Sequence, residues 1–305
     1  MKISRRTLGA GVVGAGLNVA LSRALFAQAA PEPSSPRNIL TPPIVPGVTL
    51  QSAPVELAGD WGAMIPQSAK TVVERMRLSC LDGVRLVSDR QPTRLRVDRH
   101  TSGSPAVWLH PDGSTTAWVI VDVGERAWIQ LAYQFGHELG HVMANSWLAH
   151  AKPTGPSEWL EEAIVEAFSL RGLGRLGRSW KANPPFPNDQ AYGDAILAYR
   201  TDIVQAYTRL AAEQGGAQDL KAWLARRGGK IGTGLNPFAR AVSLSVLETL
   251  ERAADSVEAI GALNRWPGRG NLQLADYLGQ WEASCKELGA SPALPVQLRK
   301  AFIGA

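Results

Sequence analysis

The stretch "QFGHELGHVMANSW", which begins at Gln134, places two histidines four residues apart with a glutamate directly after the first. On a helix, residues four apart lie on one face about one turn apart, so His137 and His141 can direct their imidazoles at a common centre. Tetrahedral zinc is bound by such pairs, and Glu138 can reach a water molecule held by the same ion. The motif therefore predicts a zinc site that activates water and takes its third protein ligand from elsewhere in the chain.

The segment that follows the motif offers candidates for the third ligand, namely Glu158, Glu161, Glu162 and Glu166. Two antiparallel helices joined by a short turn bring together residues that are equidistant from the centre of the turn. By that rule Glu162 lies opposite His141 and is expected to complete the metal site. Glu166 lies opposite His137 and is expected to accept a hydrogen bond from its other ring nitrogen. Glu161 is rotated by about 100° from Glu162 and is expected to face water. The alternative is a solvated acidic helix face opposite two core histidines.

The two segments together resemble a known group of enzymes. "HELGH" followed by "WLEEAIVEAFS" looks like the gluzincin metallopeptidases, which include thermolysin-like enzymes and zinc aminopeptidases. In that group a second helix supplies a glutamate ligand within a phrase such as N-E-A-x-x-D, and here the corresponding phrase runs from Glu161 to Glu166. The resemblance implies Zn2+ as the cofactor, hydrolysis of peptide bonds and Glu138 as the general base.

The resemblance also implies a hydrogen-bond donor for the oxyanion that forms during hydrolysis. Thermolysin-like enzymes use a downstream histidine, but His150 is the last histidine of this chain. A tyrosine, as in the aminopeptidase branch, is therefore expected. The context "AYGDA" favours Tyr192, whereas the distance back from "GG" at 215–216 favours Tyr199; Tyr207 lies in the same segment. The alternative for each tyrosine is that its ring simply packs between helices.

The elements before the motif are predicted to be one helix and several short strands. "SAKTVVERMRLSCL" has helical spacing, whereas "GVRLVS", "TRLRVD", "PAVWLH" and "TTAWVIVDV" are typical of strands. The resemblance implies that "AWVIVD" is an edge strand on which an extended peptide is bound, and the alternative is an ordinary buried strand.

The elements from the motif onward are predicted to be helical. A long helix spans "GERAWIQLAYQFGHELGHVMANSWLAH", with Asp122 as its possible cap, and "KPTGP" breaks it. The next helix is expected to start after Ser157 and to end at Gly172. A third helix is expected from about Asp189 to Gln214, followed by four or five more. The predicted fold class is α+β, a small strand-containing N-terminal part followed by a mostly helical catalytic domain of gluzincin type.

The N-terminus has the features of an export signal. A basic segment and an apolar stretch end in the cleavage pattern Ala27-Gln28-Ala29, and Ser4–Leu8 looks like the twin-arginine motif. The alternative is a general secretory signal with two chance arginines. The signal holds Lys2, Arg5, Arg6 and Arg23, and removing these four charges from the net +5 leaves +1. The high pI therefore does not indicate nucleic acid as a partner.

The expected organisation is an export signal at 1–29, a proline-rich linker or arm at 30–60, a mixed α/β part with the edge strand at 61–125, and a helical zinc-binding catalytic part at 126–305. No membrane span is expected after signal removal. Cys80 and Cys285 are the only cysteines. An oxidising compartment permits a bridge between them, and the sequence leaves a bridge and two buried thiols equally open.

These features lead to one main hypothesis and two alternatives. The main hypothesis is a periplasmic or secreted zinc metallopeptidase that acts on peptide or protein substrates of the cell envelope. The first alternative is a zinc-bound but catalytically inactive module that binds a peptide or a partner. The second is a zinc hydrolase of non-peptide amides or esters, because zinc-hydroxide chemistry does not itself select the scissile bond.

Overall fold

The computed structural model describes residues 49–62, 64–85, 88–100, 104–109, 114–148, 157–213, 219–227, 231, 234–266 and 272–304. The expected signal at 1–29, most of the arm, "KPTGP" and His150 lie outside these ranges. Within them the N-terminal part forms a four-stranded sheet and the remainder is helical. The α+β prediction is therefore confirmed.

The sheet has the strand order β1-β2-β4-β3. Its strands are β1 (Val55–Gly59), β2 (Arg94–Arg99), β3 (Ala106–Trp108) and β4 (Thr116–Val121). The pairs β1–β2 and β2–β4 are parallel, whereas β3 is antiparallel to β4. "AWVIVD" is therefore not the edge strand: β4 pairs on both sides, and the short β3 forms the edge next to it.

Two expectations for the N-terminal part were wrong. β1 lies inside the expected arm at 30–60, because Val55 pairs with Leu95, a partner forty residues away that no local pattern indicates. The strand expected at "GVRLVS" is missing at its described residues, Gly83–Arg85 and Ser88. There the Arg85 N–H and guanidinium instead donate to the Glu258 carboxylate at 2.7–3.2 Å.

Nine α-helices lie in the described ranges. They are α1 (Pro66–Cys80), α2 (Trp128–Met143), α3 (Glu158–Ala182), α4 (Tyr192–Glu213), α5 (Leu220–Arg227), α6 (Pro237–Arg252), α7 (Glu258–Gly261), α8 (Leu274–Leu288) and α9 (Ala293–Phe302). The helices expected around Asp189–Gln214 and after it are thereby confirmed. α3 is the centre of the helical part, because it packs against α1, α2, α4 and α6. It is buried on nearly all sides, as a core helix of a larger domain should be.

α2 starts later than the sequence suggested. Asp122 is not its cap: the helix follows Ala127 and has no side-chain cap. The Asp122 N–H instead donates to Gln134 Oε1 at 2.9 Å, and Arg126 adopts a left-handed φ of 61° that turns the chain before the helix begins. α2 ends at Met143, shortly before Asn145, whose φ is 66°.

α3 does not end at Gly172 but continues to Ala182. Gly172 serves close packing rather than termination, because a Cβ there would lie 2.8 Å from Met76 Cε and would also collide with Cys80 Sγ. Ser157 occupies the position before the helix but makes no capping hydrogen bond, and its hydroxyl donates to the Leu272 carbonyl at 3.1 Å. The prediction that this helix ends at Gly172 was therefore wrong.

The two cysteines are both buried and free, so the alternative of two unpaired thiols is the one the structure has. Among the described helices, none is both long enough and apolar enough to cross a bilayer.

Candidate metal centre

α2 and α3 pack antiparallel at very close range beside the histidines. A Cβ at Gly140 would lie 2.7 Å from Val165 Cβ, so only glycine allows the two helices to approach this closely. In this register His137 faces Glu166 and His141 faces Glu162. The pairing is the one expected from residues equidistant from the turn.

Three side chains converge in this interface. His137 Nε2 lies 3.3 Å from Glu162 Oε2, and His141 Nε2 lies 3.7 Å from Glu162 Oε1. One ligand atom from each of the three residues lies within 4.8 Å of the others. Together His137, His141 and Glu162, named here the metal triad, form a group that could hold a metal ion.

The opposite nitrogen of each imidazole contacts a second carboxylate. His137 Nδ1 lies 3.0 Å from Glu166 Oε2, and His141 Nδ1 lies 2.7 Å from Glu161 Oε1. A carboxylate only accepts hydrogen bonds, so the ring proton belongs on Nδ1 and the lone pair of each neutral ring is left on Nε2. Both lone pairs then face Glu162.

The Glu162 carboxylate indicates that a positive charge belongs between it and the two Nε2 atoms. Its Oε2 is buried and has no hydrogen-bond partner among the described residues. Two imidazole lone pairs and a carboxylate facing each other need a positive charge, which a proton or a metal ion can supply. The donor set of two imidazoles and one carboxylate fits a divalent metal ion.

The pKa values agree with this requirement. Burial lowers the pKa of His137, but the carboxylates of Glu162 and Glu166, which face its two ring nitrogens, outweigh burial and raise the pKa well above the ordinary value. Burial also lowers the pKa of His141, and the charge of Glu162 with the contact to Glu161 raises it overall. For Glu162 burial raises the pKa, and the two histidines more than offset that, so the pKa is lowered. The triad thus favours positive charge on the imidazoles and negative charge on Glu162.

Glu166 accepts hydrogen bonds from two tyrosines in addition to His137. The Tyr133 hydroxyl lies 2.8 and 2.9 Å from its two oxygens, and the Tyr207 hydroxyl lies 3.1 Å from Oε1. Burial, and then the charge of Glu166, raises the pKa of both tyrosines well above the ordinary value, so both remain donors. The side chain that orients His137 is therefore itself fixed from α2 and α4.

Glu161 corrects an expectation, because it does not face water. It is only 1 % exposed, and its Oε2 accepts a hydrogen bond from Asn264 Nδ2 at 2.6 Å. The segment between α7 and α8 covers this side of α3, so the rotation by about 100° from Glu162 points Glu161 into the protein. The sequence carried one usable signal, a second carboxylate directly beside the expected ligand.

Glu138 borders the triad. It is 4 % exposed, and its carboxylate has no hydrogen-bond partner among the residues that the structure describes. Burial raises its pKa, an effect that the charges of His137 and His141 partly offset. Glu138 is therefore close to the triad and is not engaged in a structural contact there.

The two tyrosines favoured from sequence lie apart from each other. The Tyr192 ring packs 5.5 Å from the ring of Trp180, which is about 27 Å beyond Glu162 along α3 at the helical rise per residue. The Tyr192 hydroxyl meets the backbone of Ile129, about 12 Å before His137 along α2. The structure therefore does not bring Tyr192 into contact with the triad. The Tyr199 ring contacts the Tyr133 ring at 5.9 Å, which places it beside the Glu166 group.

Comparison of the chain with protein-family profiles, with curated proteins and with solved structures gives no significant match. The geometry of the metal triad and its supporting carboxylates is therefore the basis for any statement about function.

Proposed function

We propose that this chain is an exported zinc-dependent metallopeptidase of gluzincin type, acting on peptides or proteins of the cell envelope. The observation that carries the proposal is the convergence of the His137 and His141 Nε2 atoms on the Glu162 carboxylate. The free carboxylate of Glu138 beside them supplies the acid–base group that hydrolysis needs.

The triad would hold the ion, and a bound divalent ion lowers the pKa of water and polarises a scissile carbonyl. Glu138 would take a proton from the attacking water on its carboxylate and deliver it to the departing amine nitrogen. The raised pKa of Glu138 suits both halves of that transfer, since a group with a pKa nearer neutrality both accepts and releases a proton readily. Glu166 and Glu161 keep the two imidazoles in the required tautomer.

The sheet edge next to α2 provides a place for an extended substrate. β3 is the edge strand, and it contacts α2 as well as β4. An edge strand binds an extended peptide by main-chain hydrogen bonds. Trp108 on β3 is 46 % exposed and offers an apolar surface there. We place the substrate chain along β3 rather than along β4.

The proposed hydrolysis also needs a side chain that donates a hydrogen bond to the oxyanion. Of Tyr192 and Tyr199, the second lies nearer the triad through its contact with Tyr133. Tyr207 and Tyr133 are committed to Glu166. We therefore assign the donor role to Tyr199 in preference to Tyr192.

One observation favours a second candidate function, a metal-bound module without catalytic activity. The side chains of His137, Glu162 and His141 are only 8, 9 and 15 % exposed. A structural metal site is closed in this way, whereas a catalytic site keeps an accessible position. Turnover of a diverse peptide library decides between the two, because the module would bind zinc and cleave nothing.

The proposal is tested by metal analysis and by paired variants. The purified protein should hold about one zinc per chain, and Glu162→Gln should lose it. Glu138→Gln should keep the zinc and lose about a hundredfold or more in peptide hydrolysis. Glu74→Gln, which removes a 40 % exposed carboxylate on α1, is the matched control and should behave as the parent. Zinc-loaded Glu138→Gln that hydrolyses peptides as fast as the parent would show that the assigned chemistry is wrong.

A further inference from the structure

Asn264, between α7 and α8, is completely buried and contacts Glu161, the carboxylate that faces His141 Nδ1. Its Nδ2 lies 2.6 Å from Glu161 Oε2 and 3.1 Å from the Ala144 carbonyl oxygen. It also lies 3.0 Å from Ser146 Oγ. Carboxylate and carbonyl oxygens only accept hydrogen bonds, so the amide nitrogen has to face them and the orientation of the side chain is determined.

The other end of the same amide is held by α8. The Tyr277 hydroxyl donates to Asn264 Oδ1 at 2.8 Å, and the Tyr277 ring packs against Trp266 at a centroid distance of 5.2 Å. A continuous line of hydrogen bonds therefore runs from Tyr277 through Asn264 and Glu161 to His141 Nδ1. Every member of this line except His141 is at most 1 % exposed.

We propose that Asn264 is a positioning residue of the metal centre, which acts on His141 through Glu161. Asn264 stabilises the Glu161 carboxylate in the position where it accepts the Nδ1 proton, and His141 then presents its Nε2 lone pair to the metal. Without this donor, the buried Glu161 carboxylate loses a hydrogen-bond partner and turns away from His141, and the tautomer of His141 is no longer enforced. The inference rests on metal binding by the triad and assigns a part in it to a residue 103 positions from Glu161.

A merely structural role for Asn264 predicts a different outcome, and Asn145 provides the matched control. Asn145 is 1 % exposed with a φ of 66°, compared with 58° for Asn264. Like Asn264, it links residues 144–146 to residues 261–264, since its Nδ2 donates to the carbonyl oxygens of Gly261 and Leu263 at 3.0 and 2.7 Å. Its side chain bonds to Ser88, Gly261 and Leu263, and among the described residues it contacts no carboxylate of the metal centre.

The experiment compares Asn264→Gly with Asn145→Gly, because glycine tolerates the left-handed φ at both positions. Zinc affinity is measured by competition with a chromophoric chelator, and thermal stability is measured alongside. We expect Asn264→Gly to lower zinc affinity about tenfold, the lower end of the range for the outer partners of metal ligands, because Asn264 acts through one such partner. Asn145→Gly should change it by less than about twofold while losing comparable thermal stability. Asn264→Asp, which sets a second carboxylate against Glu161, should lose more than Asn264→Gly.

Imidazole 15N spectra give a second readout that does not depend on zinc or on peptide hydrolysis. In metal-free parent protein at a pH where the ring is neutral, His141 should carry its proton on Nδ1, and in Asn264→Gly it should exchange between the two nitrogens. If Asn264→Gly does not fold, Tyr277→Phe, which removes only the hydroxyl, should show the same shift to a smaller extent.

Equal losses of zinc affinity in Asn264→Gly and Asn145→Gly, or an unchanged His141 tautomer in the variants, would overturn the inference. A parent protein that binds no zinc would instead overturn the proposed function, and the tautomer spectra of metal-free protein would still decide the role of Asn264.

Discussion

His141 Nδ1 lies 2.7 Å from Oε1 of Glu161, on the side of the ring opposite to Nε2. The next residue, Glu162, faces Nε2 of the same ring at 3.7 Å. Two consecutive carboxylates of α3 therefore contact the two nitrogens of one imidazole. His137 has a comparable arrangement, with Glu162 at Nε2 and Glu166 at Nδ1.

The first prediction concerns Glu161. Glu161→Gln keeps an oxygen that can accept the Nδ1 proton but removes the negative charge that makes His141 a stronger ligand. We expect zinc affinity to fall about tenfold to a hundredfold, as for other outer partners of metal ligands. Chelator competition measures this, with Glu248→Gln as the control, because Glu248 lies on α6 with its side chain 70 % exposed. Equal affinities for the two variants would mean that Glu161 has no part in the site.

The second prediction concerns Tyr207. Tyr207→Phe removes one of the three donors to the fully buried Glu166 and leaves Tyr133 and His137 in place. We expect the free energy of unfolding to fall by about 1–3 kcal/mol, the range for hydrogen bonds to charged groups and for acceptors that lose a donor. Urea denaturation measures the change. Thr208→Ala on the same helix, where the hydroxyl is exposed and bonds only within α4, should cost less. An unchanged midpoint for Tyr207→Phe would contradict the assigned bond.

The third prediction is a pH dependence that differs between metal-free and zinc-loaded protein. The pKa of His137 and that of His141 are raised in the folded state above the ordinary value of 6.5. The metal-free fold therefore binds these protons more tightly than the unfolded chain. The resulting stability is present below about pH 6.5 and is lost as the pH rises through the folded pKa.

Zinc competes with the same protons for Nε2, so zinc affinity should rise over the same pH window. Denaturant titrations at a series of pH values, with and without zinc, test both signs. The stability gained from zinc should increase from pH 6.5 upward. A gain that is independent of pH would show that the metal does not displace protons from the histidines.

The fourth prediction concerns the close packing of α1 against α3. In Gly172→Ala the added methyl group would lie 2.8 Å from Met76 Cε and collide with Cys80 Sγ. We expect a loss of about 1–3 kcal/mol in the free energy of unfolding, as for other overpacked cores. Gly279→Ala on α8 has nothing within 4 Å and is the matched control. It should gain up to about 1 kcal/mol from helix propensity. Both values come from denaturant unfolding curves, and the same sign for both would refute the packing argument.

The fifth prediction concerns the thiols. Burial raises the pKa of both Cys80 and Cys285 to about 12. Because the thiolate is the reactive form, neither thiol should react with a maleimide in the folded protein at neutral pH. Both should react after denaturation without a reductant. Mass spectrometry counts the labels, and a chain that takes up none after denaturation would hold the bridge that the structure lacks.

The members of the metal triad could be predicted from local sequence. The spacing of His137 and His141 on one helical face, and the position of Glu162 at the matching distance past the break, needed only helix geometry. The close approach of α2 and α3 was not visible, because it depends on Gly140 meeting Val165 across the interface.

The parts that sequence could not supply depend on contacts between distant residues. Glu161 is buried because Asn264, 103 positions away, covers it, and nothing in "EEAIVE" indicates that cover. Gly172 continues a helix because α1 packs against it, whereas a glycine at a helix end has the same local signature. Tyr207, rather than Tyr192, contacts Glu166, because the C-terminal half of α4 passes this carboxylate.

X-ray diffraction of the zinc-soaked protein, with anomalous scattering collected at the zinc edge, would locate the bound metal and identify its ligands in one experiment. We expect one zinc per chain, bound by His137 Nε2, His141 Nε2 and the Glu162 carboxylate, with Glu138 free beside it. An anomalous peak elsewhere, or none at this position, would contradict that expectation.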